Sequence, residues 1–417
     1  MRRTAVFWLI GPFVLALVPA PAFAITLTAP QADARALAAN SAFYVPPPGR
    51  DPLEQIRALE ASGRGADARL LVAIEAVPRA VWFTSGSPGQ VERLVRRTIE
   101  RAANERQVPV LVAYDVPGRD CGGYSAGGAQ TSADYAAWID GFAQGIGRAQ
   151  AVVILEPDGV ALAPDKCGNI ADSDKPARQA ERNAELQAAV DRLEKQPRTS
   201  VYLDAGHSHW LGVGEIAARL VAAGVHRAQG FFVNVSNYQP TPQLDQFGTW
   251  IAKCFYFAES GPTWARGHYD YCASQYYPAN PDDFSTWGLT DAWYDANVGA
   301  VSPSLLTHFV VDTSRNGQGP WHPTVVYSDA QDWCNPPGRG VGLRPTANTG
   351  TLADAYLWVK VPGESDGSCN RGIAGSTTDP EWGNIVDPAA GKWFPSQALQ
   401  LAQLANPPLP KGDEGGE

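Results

Sequence analysis

The sequence predicts an α/β fold: seven parallel strands wrapped by helices into an incompletely closed barrel. Three observations carry this expectation. Seven short runs are apolar almost throughout and rich in β-branched residues, as parallel strands covered on both faces are. Helical patterns fall between several of them, so strand and helix alternate. Six of the seven runs also lead into charged or amide residues, and in parallel folds the loops after the strand carboxyl ends assemble the site.

In chain order, the first run is "LLVAIEAVP" from Leu70, followed by a helical pattern over Val91–Arg106. "VPVLVAYDVPGRD" from Val108 ends on Asp115 and Asp120, and a second helical pattern covers Ala133–Arg148. "AVVILEPDG" from Ala151 closes in Glu156 and Asp158, with a helix expected over Ala177–Lys195. "TSVYLDAGHS" from Thr199 carries Asp204 and His207 at its end, and a helix is expected over Gly214–Ala223. "GFFVNVSNY" from Gly230 brings Asn234 and Asn237; "HFVVDTSRNG" from His308 brings Asp312 and Arg315. "DAYLWVKVPGESDG" from Asp354 supplies Lys360, Glu364 and Asp366. The stretch Thr241–Pro303 is the least regular, aromatic-rich and holding Cys254 and Cys272, and reads as a long excursion covering or lining a cleft. A polar residue at one strand end is readily a cap or a turn. So many on one rim point to a site.

The 417 residues are 44% hydrophobic, which excludes a disordered chain and permits a large core. Arg2 and Arg3 precede an apolar run from Ala5 to Val18 that closes in Ala22-Phe23-Ala24. This reads as a secretory signal over residues 1–24, an uncleaved anchor being the alternative. A leader over 25–41, a body over 42–406 and a disordered tail over 407–417 follow. Secretion places the six cysteines in disulfides, connectivity open. No CxxC occurs and the cysteines are widely spaced, so neither metal nor cofactor is expected. The net charge of −10 disfavours nucleic acid and anionic membrane as partners. The 13 tryptophans are core packing or, in part, flat platforms for sugar rings.

Carboxylates, tryptophans and amides on one rim, without metal-ligand spacing, suit glycoside hydrolysis. That reaction needs a protonated carboxyl for the leaving oxygen and a second group for the water. No HExxH motif competes with this reading. The motifs "YDVPGRDC", "LEPDGV", "LDAGHSHWLG", "NVSNY", "VDTSRNG", "DWCNPPGRGVG", "RPTANTG" and "WVKVPGESDG" occur in this order. Together they resemble glycoside hydrolase family 6, inverting β-1,4-glucanases on a distorted seven-stranded barrel, over about Ala42 to Asn406.

The resemblance implies site roles position by position. Asp158 matches the general acid, and Asp120 the carboxylate that lifts the acid's pKa and organises water; an ion pair with Arg119 is the rival reading for Asp120. Asp366 matches the candidate base, with a water relay or a loop cap as alternatives. Tyr114 matches the tyrosine crowding the distorted sugar ring, and Ser125 a loop serine that holds water. Trp82, His207, Trp210, Asn237, Trp333, Lys360 and Glu364 match sugar-binding positions. Asp204 and Asp312 read as supporting groups. The resemblance pairs Cys121 with Cys167 and Cys334 with Cys369, and leaves Cys254 with Cys272. One departure is Val213, in the region where some relatives carry a second tryptophan. The implied activity is a secreted, monomeric endo-β-1,4-glucanase, with a cellobiohydrolase as near rival and a non-catalytic glucan-binding protein as the alternative from another class.

Overall fold

The computed structural model describes residues 35–410; the expected signal, residues 25–34 of the leader and residues 411–417 of the tail lie outside the described residues. Seven parallel strands form one sheet in sequence order. They are β1 (Val81–Phe83), β2 (Val110–Ala113), β3 (Ala151–Leu155), β4 (Thr199–Asp204), β5 (Gly230–Val233), β6 (His308–Asp312) and β7 (Ala353–Leu357). The sheet curls, but β1 and β7 do not pair among the described residues. Across that seam the Ala80 N–H donates to Trp358 O at 2.9 Å and Trp82 Nε1 to Val359 O at 2.8 Å. The barrel is therefore incomplete, as expected.

Alternation along the strands explains their continuous hydrophobicity. Leu111, Val153, Leu155, Val201, Leu203, Phe231 and Phe309 point outward into one core with the helices. Val110, Val112, Val152, Ile154, Tyr202, Phe232 and Val310 fill the barrel interior. Both faces are dry, so neither needs polar residues. The covering helices α3 (Pro88–Asn104), α4 (Ser132–Ile146), α5 (Lys175–Leu193) and α6 (Val213–Ala223) fall where the periodicity predicted them. Val213, fully buried at the start of α6, belongs to the core.

The run from Leu70 is not a strand. Helices α1 (Arg50–Ala61) and α2 (Gly65–Glu75) precede the sheet, and the run begins inside α2. Ala68, Leu71, Ile74 and Glu75 are its buried positions, a helical spacing. A short apolar run cannot by itself distinguish a buried strand from a buried helix. β1 is the three-residue "VWF" just downstream, too short to leave a pattern.

The Thr241–Pro303 stretch is more regular than expected. Helix α7 (Thr241–Ser260) occupies its first third, burying Leu244, Phe247, Trp250, Ile251, Cys254, Phe255 and Phe257, and α8 (Gly288–Asn297) follows. Near the C-terminus α9 (Pro395–Gln403) packs with α1 and α2 around Trp358. Residues 407–410, counted with the tail in the sequence reading, are held against the body. Leu409 is buried in that cluster, and Arg344 donates to Pro407 O at 3.0 Å.

Candidate active site

A cleft of about 1190 Å³ opens at the carboxyl ends of the strands. Its lining includes every residue that the sequence reading assigned to catalysis or sugar binding: Tyr114, Asp120, Ser125, Asp158 and Asp366, with Trp82, His207, Trp210, Asn237, Trp333, Lys360 and Glu364. They arrive from β1, β2, β3, β4, β5 and β7 and from loops between them. The Thr241–Pro303 excursion contributes Pro281 and Asp282 to the wall, and Asp282 pairs with His209 at 3.2 Å.

β3 ends in two carboxylates that do different work. Glu156 is fully buried, and its carboxylate accepts the N–H groups of Asp115 (3.0 Å) and Val116 (3.1 Å), which ties the end of β2 to the end of β3. Burial pushes the Glu156 carboxyl up to about 7. Asp158 points into the cleft and is only partly covered there. Its carboxyl is nevertheless held well above the ordinary aspartate value, first by burial among protein atoms and then by the charges of Asp204, Asp120 and Asp366. The sequence reading gave this lift to Asp120, whereas Asp204 stands ahead of it.

Asp204, at the end of β4, also shapes the turn that carries the acid. It accepts Ala161 N–H at 2.9 Å, Val160 N–H at 3.4 Å and Gly206 N–H at 2.9 Å, and burial raises it to about 6. Glu156 and Asp158 both have left-handed backbones, with φ of 52° and 65°. Asp120 and Cys121 do too, at 55° and 47°. Such non-glycine conformations are costly and persist where surroundings impose them, as at functional sites.

Asp120 is not ion-paired with Arg119. Its carboxylate accepts Ser125 N–H at 2.6 Å, while Arg119 bonds the carbonyls of Tyr114, Thr84 and Ser125 and lies over the Tyr114 ring at 4.4 Å. Burial raises the Asp120 carboxyl, moderated by Ser125 N–H and the Arg119 charge. Tyr114 meets Trp82 edge-on, centroids 5.5 Å apart. Trp333, 42% exposed, faces Tyr124 across 6.0 Å. His207 accepts the His209 N–H at Nδ1 (3.2 Å), and burial, then His209, lowers it to about 3, so it is a neutral hydrogen-bonding group.

Asp366 is of the opposite kind to Asp158. Arg315 donates to it at 2.8 Å, Lys360 pairs at 3.2 Å, Asn335 N–H donates at 3.0 Å and the Tyr238 hydroxyl at 3.4 Å. Burial alone would raise the carboxyl, but Arg315 and Lys360 hold it below the ordinary value. Tyr238 and Asn335 were not singled out from sequence, and Arg315 was noted only as a strand-end residue. Each lies inside one of the quoted motifs ("NVSNY", "DWCNPPGRGVG", "VDTSRNG"), which was the available signal. Asp312 accepts four backbone N–H groups, from Ser236, Ser314, Val359 and Lys360, and so joins the ends of β5, β6 and β7.

Disulfides join Cys121 to Cys167, Cys254 to Cys272 and Cys334 to Cys369. The first ties the Asp120 loop to the loop after Asp158, and the third ties the Trp333 loop to the Asp366 loop. Replacing Cys121 and Cys167 by Ser should lower the unfolding free energy by about 2–5 kcal/mol, measured by denaturant titration. A variant as stable as the parent would contradict this. Among the described residues, Cys369, Asp379 and Asp387 have metal-ligand proximity, but Cys369 Sγ is in a disulfide and Asp379 is paired with Arg371, so the donor set does not fit an ion.

Residues 38–405 match Glycosyl hydrolases family 6. The chain belongs to this family. It is 35% identical over 371 residues to Endoglucanase A of Cellulomonas fimi, covering 88% of this chain and 62% of that protein. It is 36% identical over 341 residues to Endoglucanase 1 of Streptomyces halstedii, covering 81% of this chain and 82% of that one. Among solved structures it resembles the endoglucanase Cel6 from Mycobacterium tuberculosis in complex with a methyl-cellobiosyl-4-deoxy-4-thio-β-D-cellobioside. The TM-score is 0.64 at 33% identity, covering 89% of this chain and 99% of that chain. A family 6 glycoside hydrolase on an incomplete seven-stranded barrel is thus the class of this protein.

Proposed function

We propose that the chain is a secreted endo-β-1,4-glucanase that cuts cellulose or a related glucan with inversion. The observation that carries the reading is one cleft holding two aspartates in opposite surroundings: burial and neighbouring carboxylates push the Asp158 carboxyl up, while Arg315 and Lys360 hold the Asp366 carboxyl down. In this reading Asp158 donates its proton to the leaving glycosidic oxygen. Tyr114 crowds the ring about to react, and Trp82, Trp210 and Trp333 stack on pyranose faces. Lys360, Glu364, His207 and Asn237 hydrogen-bond hydroxyls.

A carboxylate locked between Arg315 and Lys360 is a weak proton acceptor, since both cations favour its ionised form. Asp366 therefore serves best as a fixed negative charge for the developing oxocarbenium ion. The proton of the attacking water leaves through a relay organised by Ser125 and Asp120, whose raised affinity suits it to accept a proton. Endo action is favoured by likeness to named endoglucanases at 35 and 36% identity, against 31% for a probable 1,4-β-D-glucan cellobiohydrolase C of Neosartorya fischeri.

Inversion is tested by proton NMR on fresh cellohexaose digests. The α-anomer should appear first and then mutarotate. An initial β-anomer would require a covalent intermediate and would sink the mechanism. Endo action should lower the viscosity of carboxymethyl-cellulose well before reducing ends accumulate; steady release of cellobiose at constant viscosity would favour the cellobiohydrolase reading.

A further inference from the structure

We infer that Arg182, on the outer face of the barrel in α5, is a positioning residue that clamps the turn carrying Asp158 to the loop carrying Asp120. The inference rests on the reading of Asp158 as the acid and deepens it.

The Asp158 turn needs restraint, because Glu156 and Asp158 sit in strained left-handed backbone conformations. From one side Asp204 holds it through Val160 and Ala161 N–H. From the other side comes Arg182. Its Nη1 donates to Gly159 O at 3.4 Å, the carbonyl immediately after the acid. Its Nη2 donates to Pro117 O at 2.6 Å, three residues before Asp120. One planar guanidinium thus spans both loops, and Glu156 fastens the same segment through Asp115 and Val116 N–H.

Stability alone does not account for a cation here. Arg182 is 5% exposed, with Glu185 at 3.5 Å and Glu156 near enough to feel its charge, and its Nε has no hydrogen-bond partner. Buried ion pairs of this kind contribute little or nothing relative to apolar packing. What a guanidinium offers in exchange is a rigid planar fork whose two Nη groups hold two separate acceptors in fixed geometry, whereas an ammonium is a compact point donor.

Two consequences are measurable. Asp158 is faced by Asp120, Asp204, Asp366 and Tyr114. Releasing the Asp120 loop lets that carboxylate and water rearrange around the acid, which should then lose its proton at lower pH. The test compares the parent with Arg182→Lys and Arg182→Gln, each shown to be folded by near-ultraviolet circular dichroism. Lys keeps the charge beside Glu185 and Glu156, and Gln keeps an uncharged NH2 donor group, so at least one variant should fold. The expected result is a fall in kcat on cellohexaose of about 10²-fold, the scale of an ångström-sized misplacement. KM should stay within about twofold, because the stacking tryptophans do not touch Arg182, while the alkaline limb of kcat moves to lower pH. A folded variant with parental kcat and an unmoved alkaline limb would overturn the clamp, as would a loss confined to KM. Carboxyl carbon NMR of Asp158 supplies a readout independent of turnover. If the parent left cellohexaose intact, the functional reading would fail, whereas an Asp158 titration unchanged in both variants would defeat the clamp alone.

Discussion

Asp158→Asn is expected to lower kcat on cellohexaose by about 10²–10⁴-fold, the usual worth of a positioned general acid, while cello-oligosaccharide binding persists. The amide preserves the shape of the side chain and, like the protonated acid, carries no charge among Asp204, Asp120 and Asp366, so the variant should fold about as well as the parent. What it cannot do is donate a proton to an alkoxide leaving group. Substrates whose leaving groups are already weak bases, such as dinitrophenyl cellobiosides, should suffer far less. This pattern separates loss of an acid from general damage, which would depress both substrates alike. Near-parental turnover of cellohexaose by the folded variant would move the acid elsewhere on the rim. The pH profile carries the same assignment: because burial and like charges raise the proton affinity of Asp158, the alkaline limb of kcat should lie well above ordinary aspartate titration. Removing Asp204 by Asn substitution should bring that limb down further than removing Asp120, since Asp204 contributes more of the repulsion.

Much of this was legible in the chain itself, for a physical reason. A strand buried on both faces must be apolar throughout, so β2 to β7 announce themselves, and the loop residues that follow each strand must reach the same rim. That is why Asp120, Asp158, His207, Asn237 and Lys360 could be placed in one cleft from their positions after strands. β1 could not be found this way, because three residues are too few to show a period, and the longer apolar run in α2 displaced it. The interplay behind Asp366 was hidden for another reason. Arg315 follows β6, Tyr238 follows β5 and Asn335 lies between β6 and β7, and nothing in a linear sequence says that they converge on one carboxylate. Likewise the excess of Asp204 over Asp120 in tuning the acid is a matter of depth and distance, which spacing does not encode.

That convergence leads to the second large effect. Arg315→Met should destabilise the protein by about 3–5 kcal/mol at neutral pH, the range for removing one partner of a buried pair. Arg315 is fully buried, and with it go the 2.8 Å bond to Asp366, the bond to Ser236 O and the cation lying 4.5 Å over the Tyr238 ring. Met keeps much of the volume, so cavity formation is a minor part of the loss. The dominant cost is a buried Asp366 carboxylate left with Lys360 as its remaining cation. The pH dependence follows from the sign of the shift. In the parent, Asp366 titrates below its unfolded value, so its contribution is present above that value and is lost as pH falls through the folded one. In Arg315→Met burial is no longer offset to the same degree, and the Asp366 carboxyl should rise. The variant can then relieve its unpaired charge by taking up a proton, so the deficit relative to the parent should be largest near neutrality and shrink in mild acid. Urea unfolding of both proteins across that range measures it. A deficit independent of pH would mean that Arg315 acts through packing alone, and that the ionised state of Asp366 has another source.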